Sequence, residues 1–172
     1  MVRTVVFVAI ALLVNAAAGL AAWHRGSVTG AGGFAGALVG SVILIAGGFV
    51  HWIMLMLFFV SSSIASRLGS GSKARLERMH ERGSRRDPVQ VFANAGVAAS
   101  ALVAQRVTGD PAWGVAAAAA LASVNADTWA SELGVLSRKA PRSIITWRRL
   151  EPGTSGGVSL RGTLAAAAGS LL

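Results

Sequence analysis

Residues 30–65 read GAGGFAGALVGSVILIAGGFVHWIMLMLFFVSSSIA, a stretch without a single Asp, Glu, Lys or Arg. A helix that crosses a bilayer needs about 20 predominantly apolar residues. The stretch is therefore long enough for one long tilted span or for two shorter ones. Gly47-Gly48 in its middle reads as a tight reversal, which gives spans over 30–46 and 49–65. Outward from this pair, further apolar runs cover 4–22, 89–107, 112–133 and 158–172. The last supplies too few residues for a full crossing. The expectation is an all-α, polytopic transmembrane helical bundle, a single domain over residues 1–172 with about six spans, C-terminally truncated. The first span also carries the marks of a signal peptide: Arg3, an apolar run from Val5 to Val14, and small residues from Ala16 to Ala22.

Composition agrees with this architecture. Hydrophobic residues make up 53% of the chain, charged residues 13%, and the mean hydropathy is +0.60; soluble domains carry about 25% charged residues. The chain has no cysteine, which excludes disulfides, thiolate metal sites and cysteine nucleophiles. Its 21 glycines and the alanine run from Ala116 to Ala120 favour close helix contact in lipid.

The formal net charge is +9. In a soluble protein that excess would point to nucleic acid. Here the cations sit in short loops, as the positive-inside rule expects, and no nucleic-acid partner is implied. With the N-terminus outside, 14 of the 16 Lys and Arg residues fall on the cytoplasmic side, leaving only Arg3 and Arg106 opposite. The loop from Arg67 to Asp87 mixes Lys73, Arg75, Glu77, Arg78, Glu81 and Arg82. It reads as a short surface helix that sets topology and is attracted to anionic lipid. Trp23, Trp52 and Trp113, at span ends, read as interfacial anchors, and Trp147 in a basic loop as a residue dipping into the headgroups. Alanine, glycine and arginine bias points to a bacterium, and hence to the inner (cell) membrane.

Three polar constellations could carry chemistry. The first is Asn125-Ala126-Asp127-Thr128-Trp129-Ala130-Ser131-Glu132-Leu133-Gly134, at the end of the alanine-rich span. Charge at membrane depth is expensive and by default functional. With Asn125 at 0°, an ideal helix places Glu132 at about 340°, Thr128 at about 300°, Ser131 at about 240° and Asp127 at about 200°. Such an arc should face protein or water. Asp127 and Glu132 suit Mg²⁺, which takes one or two carboxylates and shares phosphate oxygens; pairing with Arg or Lys to stabilise the bundle is the alternative.

The second constellation is Glu151-Pro152-Gly153-Thr154-Ser155-Gly156-Gly157-Val158-Ser159, which follows Arg142, Arg148 and Arg149. Gly153, Gly156 and Gly157 let backbone N–H groups approach an anion, Thr154 and Ser155 add hydroxyls, and a helix start near Val158 would aim at the same place. Arginine forks suit phosphate. The loop is not a Walker A sequence, and a plain turn explains it equally well in isolation. The third is Arg86, Gln90 and Asn94, one stripe at i, i+4, i+8, which either lines the same polar cavity or hydrogen-bonds between helices. His24, His51 and His80 lack ligand spacing, and no Gly-x-Ser-x-Gly or His-Glu-x-x-His motif occurs.

Taken together, these residues resemble the integral-membrane family that includes plant phytyl-phosphate kinase and human transmembrane protein nineteen. The resemblance covers nearly the whole chain. It is carried by Ser61-Ser62-Ser63, by the run from Gln90 to Asn94, by the run from Asn125 to Gly134, by the run from Pro141 to Thr146, and by the run from Pro152 to Ser159. The Asp127-Thr128-x-Ala130-Ser131-x-x-Gly134 pattern is also similar to a run in dolichol and phytol kinases, where CTP is the usual donor. The resemblance implies a kinase-like phosphotransferase that moves a phosphoryl group from CTP or another nucleoside triphosphate to an isoprenoid alcohol phosphate such as phytyl phosphate. On that reading Asp127 and Glu132 hold Mg²⁺, with Glu132 alternatively the general base. Asn125, Thr128 and Ser131 orient water or acceptor, and the arginines and the glycine loop cradle phosphates at the cytoplasmic face. The rival is a non-catalytic transporter or lipid-handling protein, since buried carboxylates and glycine-rich breaks also line substrate paths.

Overall fold

The computed structural model describes residues 2–73, 85–137, 139–151, 154 and 156–172, with side chains of 68–73 excepted. Five helices carry the described chain: α1 (Val2–His24), α2 (Gly30–Lys73), α3 (Pro88–Thr108), α4 (Ala112–Gly134) and α5 (Leu160–Ser170). Two short strands, β1 (Arg142–Ser143) and β2 (Gly157–Val158), pair antiparallel between α4 and α5.

Helix α2 is two helices in one. Gly48 adopts φ 72°, ψ −170°, outside the helical region and accessible essentially to glycine alone. The contacts of Asn15 show what the break does. A Cβ on Gly40 would meet the Asn15 carboxamide, and Trp52 Nε1 donates to Asn15 Oδ1 at 3.0 Å. An unbroken helix would hold Gly40 and Trp52 about 18 Å apart along its axis, so the chain reverses at Gly48. The second half also runs further than the apolar pattern, to Lys73 rather than residue 65.

The chain forms two compact units. The first is drawn from residues 1–56 and 83–121, the second from 57–82 and 122–172. In the first, α1 and α2 meet through glycine. A Cβ on Gly33 would stand 2.8 Å from the Gly19 carbonyl, and one on Gly19 would strike the Gly33 carbonyl. Ser41 Oγ donates to Ala37 O at 2.7 Å. Gly47 packs on Leu102, which is fully buried, and the His51 ring nitrogens face Gly47 O at 2.8 Å and Gly114 O at 3.1 Å. Helix α3 begins with a capping box: Asp87 Oδ1 accepts from Gln90 N at 2.8 Å, and Gln90 Oε1 accepts from Asp87 N at 3.1 Å. It ends on Gly109 at φ 74°.

In the second unit α4 and α5 also approach through glycine. A Cβ on Gly134 would lie 3.4 Å from Gly162 Cα, and one on Gly169 would lie 3.0 Å from Asn125 O. Ser159 caps α5, its Oγ accepting from Gly162 N at 3.1 Å.

The distribution of side chains inverts the soluble pattern. Among the described residues, ten of the eighteen buried apolar ones are alanine, while Val5, Leu13, Phe34, Val50, Val97 and Leu164 are among many large apolar residues turned outward. Small residues inside and large ones outside suit helices whose surroundings are lipid. Among the described residues two helices are long and apolar enough to cross a membrane by length and composition, Val2–His24 and Gly30–Arg67.

Candidate functional site

The end of α4 and the start of α5 converge because Gly134 and Gly162 lack side chains, and a cavity of about 520 Å³ opens beside them. Helix α4 contributes Asp127, Ala130, Ser131 and Gly134; helix α5 and its cap contribute Ser159, Gly162, Thr163 and Ala166. Each set has the i, i+3, i+4, i+7 spacing of one helix face, so the cavity is the groove between two facing helix surfaces. The loop between them closes it with Ser137, Lys139, Pro141, Thr154, Gly157 and Val158. A neighbouring cavity of about 740 Å³ shares Ser137, Lys139, Val158, Ser159 and Thr163 and adds Arg142, Trp147 and Arg149.

The strand pair holds the cationic wall in place. Arg142 pairs with Val158 and Ser143 with Gly157. Ser143 N donates to Arg148 O at 2.9 Å, and Leu150 N to Pro141 O at 2.8 Å. A Cβ on Gly157 would lie 3.1 Å from Thr154 O and 3.2 Å from Pro141 Cβ, so the ladder is closely packed there. The N-terminus of α5, with its capping Ser159, borders both cavities and brings a positive dipole end to them.

The polar arc of α4 divides. Asn125 is 1% exposed and spent on packing: its Nδ2 donates to Gly169 O at 2.7 Å, and its Oδ1 accepts from Ser61 Oγ at 3.3 Å. Trp129 Nε1 donates to the same Ser61 Oγ at 3.1 Å. Asp127, about 160° around the helix from Asn125, is exposed and faces the cavity. Its carboxylate has no hydrogen-bond or ion-pair partner among the described residues. Ser131 stands beside it, its hydroxyl donating to the carbonyls of Asp127 at 2.9 Å and Thr128 at 3.1 Å.

Of the residues singled out by sequence, the cavities gather Asp127, Ser131, Arg142, Arg149, Thr154 and Gly157. Asn125, Thr128, Glu132, Arg148 and Gly156 are not among their linings. Gly153 and Ser155 lie outside the described residues, as do residues 74–84 of the basic loop and Arg138. Arg86, Gln90 and Asn94 belong to the first unit. There Arg86 exchanges backbone hydrogen bonds with Ser27 and Thr29, and the Gln90 side chain serves the cap of α3. The sequence alone points to neither Lys139 nor Thr163: Lys139 reads there only as one of the loop cations, and Thr163 follows Ser159 by one helical turn, a spacing that becomes informative once the helix start is known.

Among the described residues no three His, Cys, Asp or Glu side chains cluster as a metal cage. A lone, accessible carboxylate among hydroxyls does fit a cation that completes its shell with substrate phosphate and water, the habit of Mg²⁺.

Lipid-facing large side chains, interiors of small residues and long apolar helices define an integral membrane protein. The chain belongs to the integral membrane protein family DUF92, which it matches over residues 13–172. It is 34% identical over 172 residues to Protein PGR of Arabidopsis thaliana, covering 92% of this chain and 59% of that protein. It is 32% identical over 135 residues to the uncharacterized membrane protein MJ0933 of Methanocaldococcus jannaschii, covering 78% and 55%. The chain thus spans a little over half the length of these curated relatives. No solved structure matches it.

Proposed function

We propose that the paired cavities are the site of a membrane-embedded phosphotransferase that moves the terminal phosphoryl of CTP or another nucleoside triphosphate to an isoprenoid alcohol phosphate. The observation that carries this reading is the carboxylate of Asp127, without a partner among the described residues, facing a cavity that shares lining residues with one bordered by Lys139, Arg142 and Arg149. Carboxylate on one wall and guanidinium and ammonium on the other is the charge pattern of a metal-bound polyphosphate.

In this reading Asp127 holds Mg²⁺, which would neutralise the triphosphate and polarise its terminal phosphorus. The geometry favours Asp127 as the sole protein carboxylate, because Glu132 lies about 140° further round the helix. Lys139, Arg142 and Arg149 take the remaining phosphate charge. The hydroxyls of Ser131, Thr154, Ser159 and Thr163 and the N-terminal amides of α5 orient the acceptor phosphate. An oxygen of that phosphate forms the new bond to the γ-phosphorus. The bond from the γ-phosphorus to the β,γ-bridging oxygen breaks, and the nucleoside diphosphate leaves with the electron pair. Such a transfer relies on positioning and charge neutralisation more than on covalent catalysis by the protein. The active face is cytoplasmic, where the charge asymmetry places the loop between α4 and α5.

The test uses the full-length natural protein in detergent with labelled CTP or ATP and a panel of phytyl, geranylgeranyl and farnesyl monophosphates. A labelled lipid diphosphate that forms with Mg²⁺ and not with EDTA is the expected result. Folded protein that yields no product with any pair would replace this reading with a lipid-handling or transport role for the same cavities.

A further inference from the structure

The turn from Ser143 to Arg148 exposes Ile144 at 62%, Ile145 at 86% and Trp147 at 64%. These residues lie on no helix, so exposure on a lipid-spanning surface does not account for them. The turn is nevertheless tightly made. Ser143 N donates to Arg148 O at 2.9 Å, Ile144 N to Gly156 O at 3.1 Å, and Trp147 N to Ser143 O at 2.9 Å. Ile145 N and Thr146 N both donate to Ser143 Oγ, at 3.3 and 3.1 Å. Every backbone N–H from Ser143 to Trp147 therefore has an acceptor inside the loop. Trp147 is also the one non-glycine residue at positive φ among those described, at 56°. Arg142 Nη1 donates to its carbonyl at 3.2 Å.

We infer that this turn is an interfacial anchor, docking Ile144, Ile145 and Trp147 into the headgroup layer of an anionic bilayer with Arg148, exposed and outside both cavity linings, set against the lipid phosphates. Water-exposed irregular backbone normally needs water to satisfy it, and lipid supplies none. A turn that satisfies its own N–H groups can leave bulk water. Tryptophan favours the headgroup level, and Arg148 matches anionic lipid in charge. Trp147 keeps a positive φ that bulky residues rarely adopt while its side chain stays largely exposed, which fits a contact made outside the protein. Integral membrane character places a bilayer beside the loop. The consequence is that Arg142 and Arg149, which border the cavity, stand at the depth of a lipid phosphate. This inference is independent of the phosphotransfer reading.

The chain has no native cysteine, so Ile145→Cys carries a spin label at one defined place, and Glu151→Cys, exposed on the same loop, serves as reference. Both are read in nanodiscs of phosphatidylcholine mixed with phosphatidylglycerol. The expected result is a label at 145 more accessible to oxygen and at least several-fold less accessible to a water-soluble nickel complex than the label at 151. The shielding should lessen in phosphatidylcholine alone and in the added variant Ser143→Ala, which removes the acceptor for two N–H groups. Equal nickel accessibility at 145 and 151 would overturn the inference. So would shielding from both reagents, which would place the turn against protein. Shielding indifferent to lipid charge would overturn the part given to Arg148.

Discussion

Asn125 and Asp127 stand two positions apart and do different work. Helical geometry puts them on nearly opposite sides of α4, and the structure gives the buried side to Asn125 and the cavity side to Asp127. The angular separation was legible in the sequence. Which side would be protein was not, because that depends on Ser61 and Gly169, residues distant in sequence. The same limit hid Lys139, whose value comes from the strand pair that returns the loop across the helix ends. Asn125→Ala should remove the side-chain bonds to the Gly169 carbonyl and the Ser61 hydroxyl and destabilise the fold by about 1–2 kcal/mol. A thermal unfolding midpoint in detergent equal to that of the unsubstituted protein would contradict the packing role.

At the scale of elements, the apolar stretches read over 89–107 and 112–133 fall within the helices α3 (Pro88–Thr108) and α4 (Ala112–Gly134). Helix α2 instead continues beyond its apolar stretch through polar residues to Lys73, since hydropathy does not mark where backbone hydrogen bonding ends. The two-residue strands were invisible because they are too short to show an alternation. They also displace the start of α5 from Val158 to Leu160, with Ser159 as its cap. Gly48 is the position on which the reversal rests. Nothing lies within 4 Å of a Cβ built there or on Gly36, but only Gly48 has positive φ. Gly48→Ala should therefore cost about 1–3 kcal/mol through backbone strain alone. Gly36→Ala, inside a helix, should be neutral or stabilising by up to about 1 kcal/mol. Matched unfolding midpoints for the pair would remove the reversal from the account.

For the whole molecule, charge gives direction. The asymmetry of 14 Lys and Arg residues against 2 predicts that the loop between α3 and α4 faces outward and the loop between α4 and α5 faces the cytoplasm. In intact cells a membrane-impermeant maleimide should modify Pro111→Cys and spare Glu151→Cys until the cells are opened. Labelling of Glu151→Cys from outside would invert the orientation and put the cavities on the wrong side for cellular nucleotide. Family membership fixes the membrane setting.

The most direct measurement is turnover by Asp127→Asn in the full-length natural protein, with labelled nucleotide, prenyl monophosphate and Mg²⁺. Asparagine keeps the shape and removes the charge. A loss of roughly 100-fold or more, with the unfolding midpoint unchanged, is the predicted result. Product formed at near the unsubstituted rate would show that Asp127 holds no metal and that the chemistry, if it occurs, lies elsewhere.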